Sequence, residues 1–141
     1  MPLTFHGLIF DADAEPGPAG GHLLRHPSGP KWPIQLTARP LGEQGFEQAV
    51  KMERAKAAGE LTEAKVLERT HLTLAGAPTW VFAHGGLSAD GVATRQLLAL
   101  LQCGEHIVTL RTAGVEDEGD AVRDRFEQLL IGLRSADDEA A

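Results

Sequence analysis

Six histidines and one cysteine are the residues of this 141-residue chain best suited to chemistry near neutral pH, and their spacing serves it poorly. His22 and His26 stand four apart, as two ligands on one helical face would, but Pro27 disfavours helix at the residue before it. His71 and His84 could meet across a hairpin, yet no carboxylate or cysteine lies at a zinc-like spacing from either. Cys103 is expected to be a buried structural thiol, because reactive thiolates occupy exposed, electropositive settings. Ser88 and Ser135 have no nucleophile elbow around them, and Gly85-Gly86 and Gly91 are not followed by the Lys-Ser or Lys-Thr of a phosphate loop. Glu116, Asp117, Glu118 and Asp120 lack the alternation of a calcium loop. They suit the start of a helix, where carboxylates favour the positive end of the dipole. No catalytic residue, metal ligand or cofactor is therefore expected, and the chain reads as a non-enzyme. Trp80 is expected in the core; Trp32, between Lys31 and Pro33, is a secondary candidate for contact with a partner.

The element that must position everything else is the stretch from Thr94 to Thr112. It reads as two strands joined by Gly104-Glu105, where Gly at the first central position suits a type II′ turn. That turn sets Cys103 opposite His106, Leu101 opposite Val108, Ala99 opposite Leu110 and Leu97 opposite Thr112 on one apolar face. The second face carries Gln96, Leu98, Leu100 and Gln102 opposite Arg111, Thr109 and Ile107. A slip of one residue would exchange the two sets.

Around this hairpin, Leu3 to Phe10 reads as a first strand and Asp11 to Gly21, rich in Pro, Gly and small acidic residues, as a loop. His22 to Arg25 is a short strand and His26 to Pro30 a turn. Ile34 to Arg39 is a strand whose flanking Pro33 and Pro40 point to a sheet edge. Glu43 to Ala58 is a helix with Phe46, Ala49, Val50 and Ala57 inward and Glu47, Lys51 and Arg54 toward solvent, stopped by Gly59. Leu61 to Lys65 is ambiguous, with a short turn of helix one reading. Val66 to Leu74 and Thr79 to His84 form a hairpin about Gly76, Gly85 to Gly91 is a loop, and Ala113 to Asp120 is an acidic loop. Asp120 to Leu133 is a second helix, with Val122, Phe126, Leu129, Leu130 and Leu133 along its apolar stripe. Segregated strands and helices of this kind predict an α+β fold: an antiparallel sheet of five or six strands with two main helices packed on it. Residues 1–134 form one domain and 135–141 a flexible acidic tail.

Net charge is −7 and the sequence pI about 5.3, which argues against nucleic acid or an anionic membrane as the main partner. No apolar stretch approaches the ~20 residues of a spanning helix, so stable membrane insertion is not expected. One cysteine allows no internal disulfide and favours a reducing compartment. The opening MPLTFHGLIF has no basic region, long apolar run or lipid-acceptor cysteine, so a cytoplasmic location is expected.

From about Phe46 to Arg134 the chain resembles the DcrB-like, PsbP-like α+β family. The resemblance is carried by a helix, a strand reaching a turn at Gly76, and a strand with Trp80 and Phe82. Arg95-Gln96 then opens a strand, Ile107 to Leu110 runs on to Thr112, and a helix closes with Phe126, Leu129, Leu130 and Leu133-Arg134. The family's opening strand, with Pro, an aromatic and Asp close behind, is replaced here by the Gly/Pro-rich Asp11 to Gly21. Among members of this fold, the small acidic chain looks most like the effector-associated chaperones of type VI secretion. That resemblance implies a non-catalytic chaperone or adaptor, a homodimer, that binds an apolar segment of a secreted effector on a concave sheet face. Two readings of the hairpin's second face follow: another layer or a dimer mate covers it and its leucines are core, or it is the contact surface, made by Gln96, Leu98, Leu100, Gln102, Ile107, Thr109 and Arg111. An acidic immunity or inhibitor protein capping a toxin is the alternative.

Overall fold

Residues 2–25 and 32–137 are described in a computed structural model. The chain opens with a hairpin where one strand was expected: β1 (Leu3–Phe5) and β2 (Leu8–Phe10) pair antiparallel. His6 and Gly7 between them have φ of +49° and +81°, the two positive values that a type I′ turn requires. The Asp11 to Gly21 stretch, expected as a loop, contains β3 (Asp13–Pro16) and a 3-10 turn at Pro18–Gly20. β3 is exposed along its length and is a strand through its backbone pairing with β4 (His22–Arg25), so its side chains gave no sign of it. Gly21 lets the chain lie against the next strand, since a Cβ there would fall 2.1 Å from the carbonyl oxygen of Leu36. That strand, β5 (Ile34–Pro40), is interior rather than at an edge. Pro33 lies outside it and Pro40 is its last residue, so neither interrupts the ladder. The expected turn at His26 to Pro30 lies outside the described residues.

α1 (Phe46–Ala58) buries Phe46, Ala49, Val50 and Ala57, the predicted stripe, and Gly59 closes it. β6 (Thr62–Leu74) begins in the ambiguous stretch for which a short turn of helix was one reading, and has irregular pairing at two points near its start. Ala75 and Gly76, at φ +50° and +80°, turn it into β7 (Ala77–Leu87). β8 (Ala93–Cys103) and β9 (His106–Val115) pair in the register read from the Gly104-Glu105 turn, with Gly104 at φ +61°. β9 runs three residues into the expected acidic loop, and a 3-10 turn at Glu116–Glu118 leads to α2 (Gly119–Ile131). β10 (Arg134–Ser135) then pairs with β2, so Ser135, counted with the tail, belongs to a small sheet. The Ala136 amide extends the contact by donating to the Gly7 carbonyl at 2.8 Å.

The main sheet is antiparallel with seven strands in the order β3-β4-β5-β9-β8-β7-β6, and β1-β2-β10 form a second sheet. The α+β class and the two packed helices are as expected; β3, in a stretch expected as a loop, joins the main sheet, which has seven strands where five or six were expected. α1 and α2 lie on opposite faces. On one, Leu97, Ala99, Leu101, Val108 and Leu110 meet Val122, Phe126, Leu129 and Leu130 of α2, with Leu8 and Phe10 of the small sheet. On the other, Leu98, Leu100, Ile107 and Phe82 meet Phe46, Ala49, Val50 and Ala57 of α1.

Phe126 is 1% exposed. Truncating a buried Phe to Ala costs about 3–5 kcal/mol, a large share of a typical total of about 5–15 kcal/mol. Phe126→Ala should therefore lower the denaturation midpoint sharply in a urea titration. A midpoint equal to wild type would mean that α2 does not seat on the sheet as described.

Candidate functional site

The surface expected to receive a partner is occupied by α1. Leu98 and Leu100, at 1% and 0% exposure, and Ile107 at 0% lie beneath that helix. They are core in this chain, because a second amphipathic helix covers this face, as the reading with a further layer has it. Gln96 is buried as well, and its amide ties α1 down: Nε2 donates to the Ala57 carbonyl at 3.0 Å and Oε1 lies 2.8 Å from His84 Nδ1. Thr109 is buried and Gln102 half-buried. Arg111, half-buried, pairs with Glu60 just beyond the helix, and Arg39 pairs with Glu53 on it. Of the seven, Leu98, Leu100 and Ile107 therefore underlie α1, Gln96 anchors it, and Arg111 holds the segment just past it.

Beside α1 the sheet stays open. α1 packs on β8 and β7, and α2 on β9 and β8, while β6 is exposed along almost its whole length. Between α1 and the β6–β7 pair lies a groove with a volume of about 260 Å³, lined by Glu47, Val50, Lys51, Arg54, Arg69, Trp80 and Phe82. Two periodicities build it. Residues 47, 51 and 54 share one stripe of α1, and residues 80, 82 and 84 alternate onto one face of β7. The register sets Arg69 opposite Phe82 and His71 opposite Trp80. The charged stripe of α1, expected to face solvent, thus overhangs an aromatic floor. The clue in the sequence was the run Trp80, Phe82, His84 at every second residue, which marks one strand face but does not say which helix borders it.

The floor is a column of rings. His71 stacks on Trp80 at 4.6 Å, Trp80 on Phe82 at 5.8 Å and Phe82 on His84 at 6.2 Å, all within 18° of parallel. His71 and His84 therefore stand at opposite ends of the column, with Trp80 and Phe82 between them, and do not meet as a metal pair. The Trp80 indole N–H donates to Glu47 Oε1 at 3.3 Å, and the Arg54 guanidinium sits 5.7 Å from the centre of the Phe82 ring. His84 is fully buried, and its Nε2 has no hydrogen-bond partner among the described residues. Burial and the nearby Arg54 charge hold its pKa below the usual histidine range, against the opposing pull of Gln96.

The remaining candidates for chemistry stay apart. Burial pushes the Cys103 thiol up to about 11, which leaves it protonated and unreactive at neutral pH. His6 and His106 lie 4.5 Å apart, ring to ring, but no group of three or more His, Cys, Asp or Glu able to hold a metal occurs among the described residues. Trp32 packs against the core under α2, with Arg125 at 5.5 Å from its ring. No described helix is long and apolar enough to cross a membrane.

No protein-family model and no curated protein matches the sequence. Solved structures do match. Cyanobacterial PsbP (CyanoP) from Synechocystis superposes with a TM-score of 0.65 at 12% identity, over 96% of this chain and 91% of that one. LpqN of Mycobacterium tuberculosis, described as involved in cell envelope biogenesis, gives 0.62 at 13% identity, over 95% and 81%. PA94 of Pseudomonas aeruginosa, described as a putative regulator of unknown function, gives 0.61 at 12% identity, over 92% and 83%.

Two outcomes check the site's anatomy. Leu98→Asp places an unpaired carboxylate under α1 and should unfold the domain or cost several kcal/mol; a variant melting like wild type would place Leu98 on an open surface. The unfolded chain protonates His84 where the folded chain resists, so stability should fall as pH drops below about 6.5. His84→Phe should flatten part of that fall between about pH 7 and 5, with His6, whose pKa burial also lowers, keeping its own share. An unchanged slope would place the acid sensitivity elsewhere. At identities this low the match is one of architecture, and with two helices on an antiparallel sheet the chain has a PsbP-like fold.

Proposed function

We propose that this protein is a non-catalytic chaperone or adaptor that holds an extended apolar segment of a protein partner along β6. The observation that carries the proposal is the edge itself. β6 is a 13-residue strand at the end of the main sheet, paired on one side by β7 and, among the described residues, open on the other, with Val66 41% and Leu67 50% exposed. An open edge is a template for strand addition, in which the backbone supplies affinity and alternate side chains supply selectivity. The pairing irregularities fall near the start of β6, between Thr62 and Glu68, and leave Arg69 to Leu74 in regular register.

The partner class is a secreted, type VI-like effector met in the cytoplasm before export, which is the finer reading drawn from the family resemblance. The same edge would join two copies in an isologous homodimer, so client and second copy would compete for it. Support for a non-enzymatic role comes from the unreactive Cys103 and the separated histidines. The net charge of −7 favours one further reading, an acidic immunity protein that caps a basic toxin. Salt separates the two, because apolar strand addition depends weakly on ionic strength and charge capping depends on it steeply.

A fluorescent extended peptide rich in Val and Ile, titrated with the full chain, tests the proposal. Binding should be saturable, nearly independent of salt and at least about tenfold weaker in Val66→Asp, which introduces a charge at the edge. That variant should melt like wild type, because Val66 is exposed. Equal binding by Val66→Asp, or affinity only for basic proteins at low salt, would contradict the chaperone reading.

A further inference from the structure

We propose that the groove between α1 and the β6–β7 pair is a binding site for a small aromatic carboxylate. Three cations, Lys51, Arg54 and Arg69, line it against one carboxylate, Glu47, on a chain whose net charge is −7. The local charge thus opposes that of the whole molecule. Arg39, Arg95, Arg111, Arg123 and Arg134 each have a carboxylate partner within 4 Å, but no ion pair among the described residues involves Lys51, Arg54 or Arg69. Glu47 is engaged by the Trp80 indole N–H. The groove therefore offers unneutralised guanidinium groups, whose planar forks match a carboxylate in a bidentate bond.

The floor selects the rest of the ligand. Trp80 stacks with both His71 and Phe82, so the part of its ring left to line the groove is the edge. Aromatic edges are the electropositive part of the ring, and they prefer the electron-rich face of another ring. An anion joined to a flat ring satisfies the cationic wall and the ring-edge floor together; a cation is disfavoured by both. The volume of about 260 Å³ lies just under the roughly 300–1,000 Å³ of drug-sized sites, which sizes the ligand at one or two rings. This site meets β6 through the Arg69 side chain and uses neither the backbone edge of that strand nor Val66.

The test is a titration of the full chain with phenylacetate, with 2-phenylethanol and with acetate, followed by the Trp80 indole N–H resonance. Trp32→Phe assigns that resonance. Phenylacetate should bind saturably and at least about tenfold more tightly than either the uncharged alcohol or the ringless acetate. Arg54→Gln and Arg69→Gln should each weaken phenylacetate severalfold and leave the alcohol unchanged, with peptide binding along β6 intact in Arg54→Gln, whose side chain belongs to α1. No saturable binding of phenylacetate, equal affinity for acid and alcohol, or wild-type affinity in both arginine variants would each overturn the assignment.

Discussion

The antiparallel ladder from Thr94–Val115 to Cys103–His106 carries apolar side chains that are buried on both of its faces, and every other element is placed by that fact. A hairpin dry on one side needs a single covering layer; this one needs two. Leu97, Ala99, Leu101, Val108 and Leu110 take α2 and the small sheet, while Leu98, Leu100 and Ile107 take α1. Each helix contributes a stripe of four or five buried residues, enough to cover the central strands but not the whole sheet. The uncovered remainder is the β6–β7 end, and the surface available for binding follows from where the covering stops.

Polar contacts fix α1 in place around that core. Gln96 reaches the last turn of the helix through Ala57, Glu53 meets Arg39, Glu47 meets the Trp80 indole, and Glu60 just past the helix meets Arg111. Exposed pairs of this type contribute little energy singly. The buried Gln96–His84 bond is different, since losing one member strands a desolvated partner. With the helix seated this way, Lys51 and Arg54 overhang Trp80 and Phe82, and a stripe that would otherwise be solvated becomes one wall of a groove.

Much of this was legible in the residues. Gly104-Glu105 fixed the hairpin register, because a two-residue loop with Gly first admits few geometries, and the apolar spacing from Phe46 and from Val122 located both helices. Three things were not legible. An amphipathic stripe says that a helix packs on a sheet but not on which face, and β8 is apolar on both, so the residues did not say whether a helix, a second copy or a partner lies over Leu98 and Leu100. β3 is held by its backbone ladder and carries no burial signature. The groove arises from one helix period and one strand period brought side by side in space, and neither is unusual alone.

The central claim is that the helices protect β8 and β9 from both sides while β6 keeps a free edge. Amide hydrogen exchange of the native chain at low concentration tests it directly. The account predicts that the amides of Leu97 to Leu101 and Ile107 to Leu110 exchange only through global unfolding, while the outward-facing amides of Val66 to Leu74 exchange orders of magnitude faster. Uniform slow exchange along β6 in the monomer would mean that its edge is already covered, and would contradict the account.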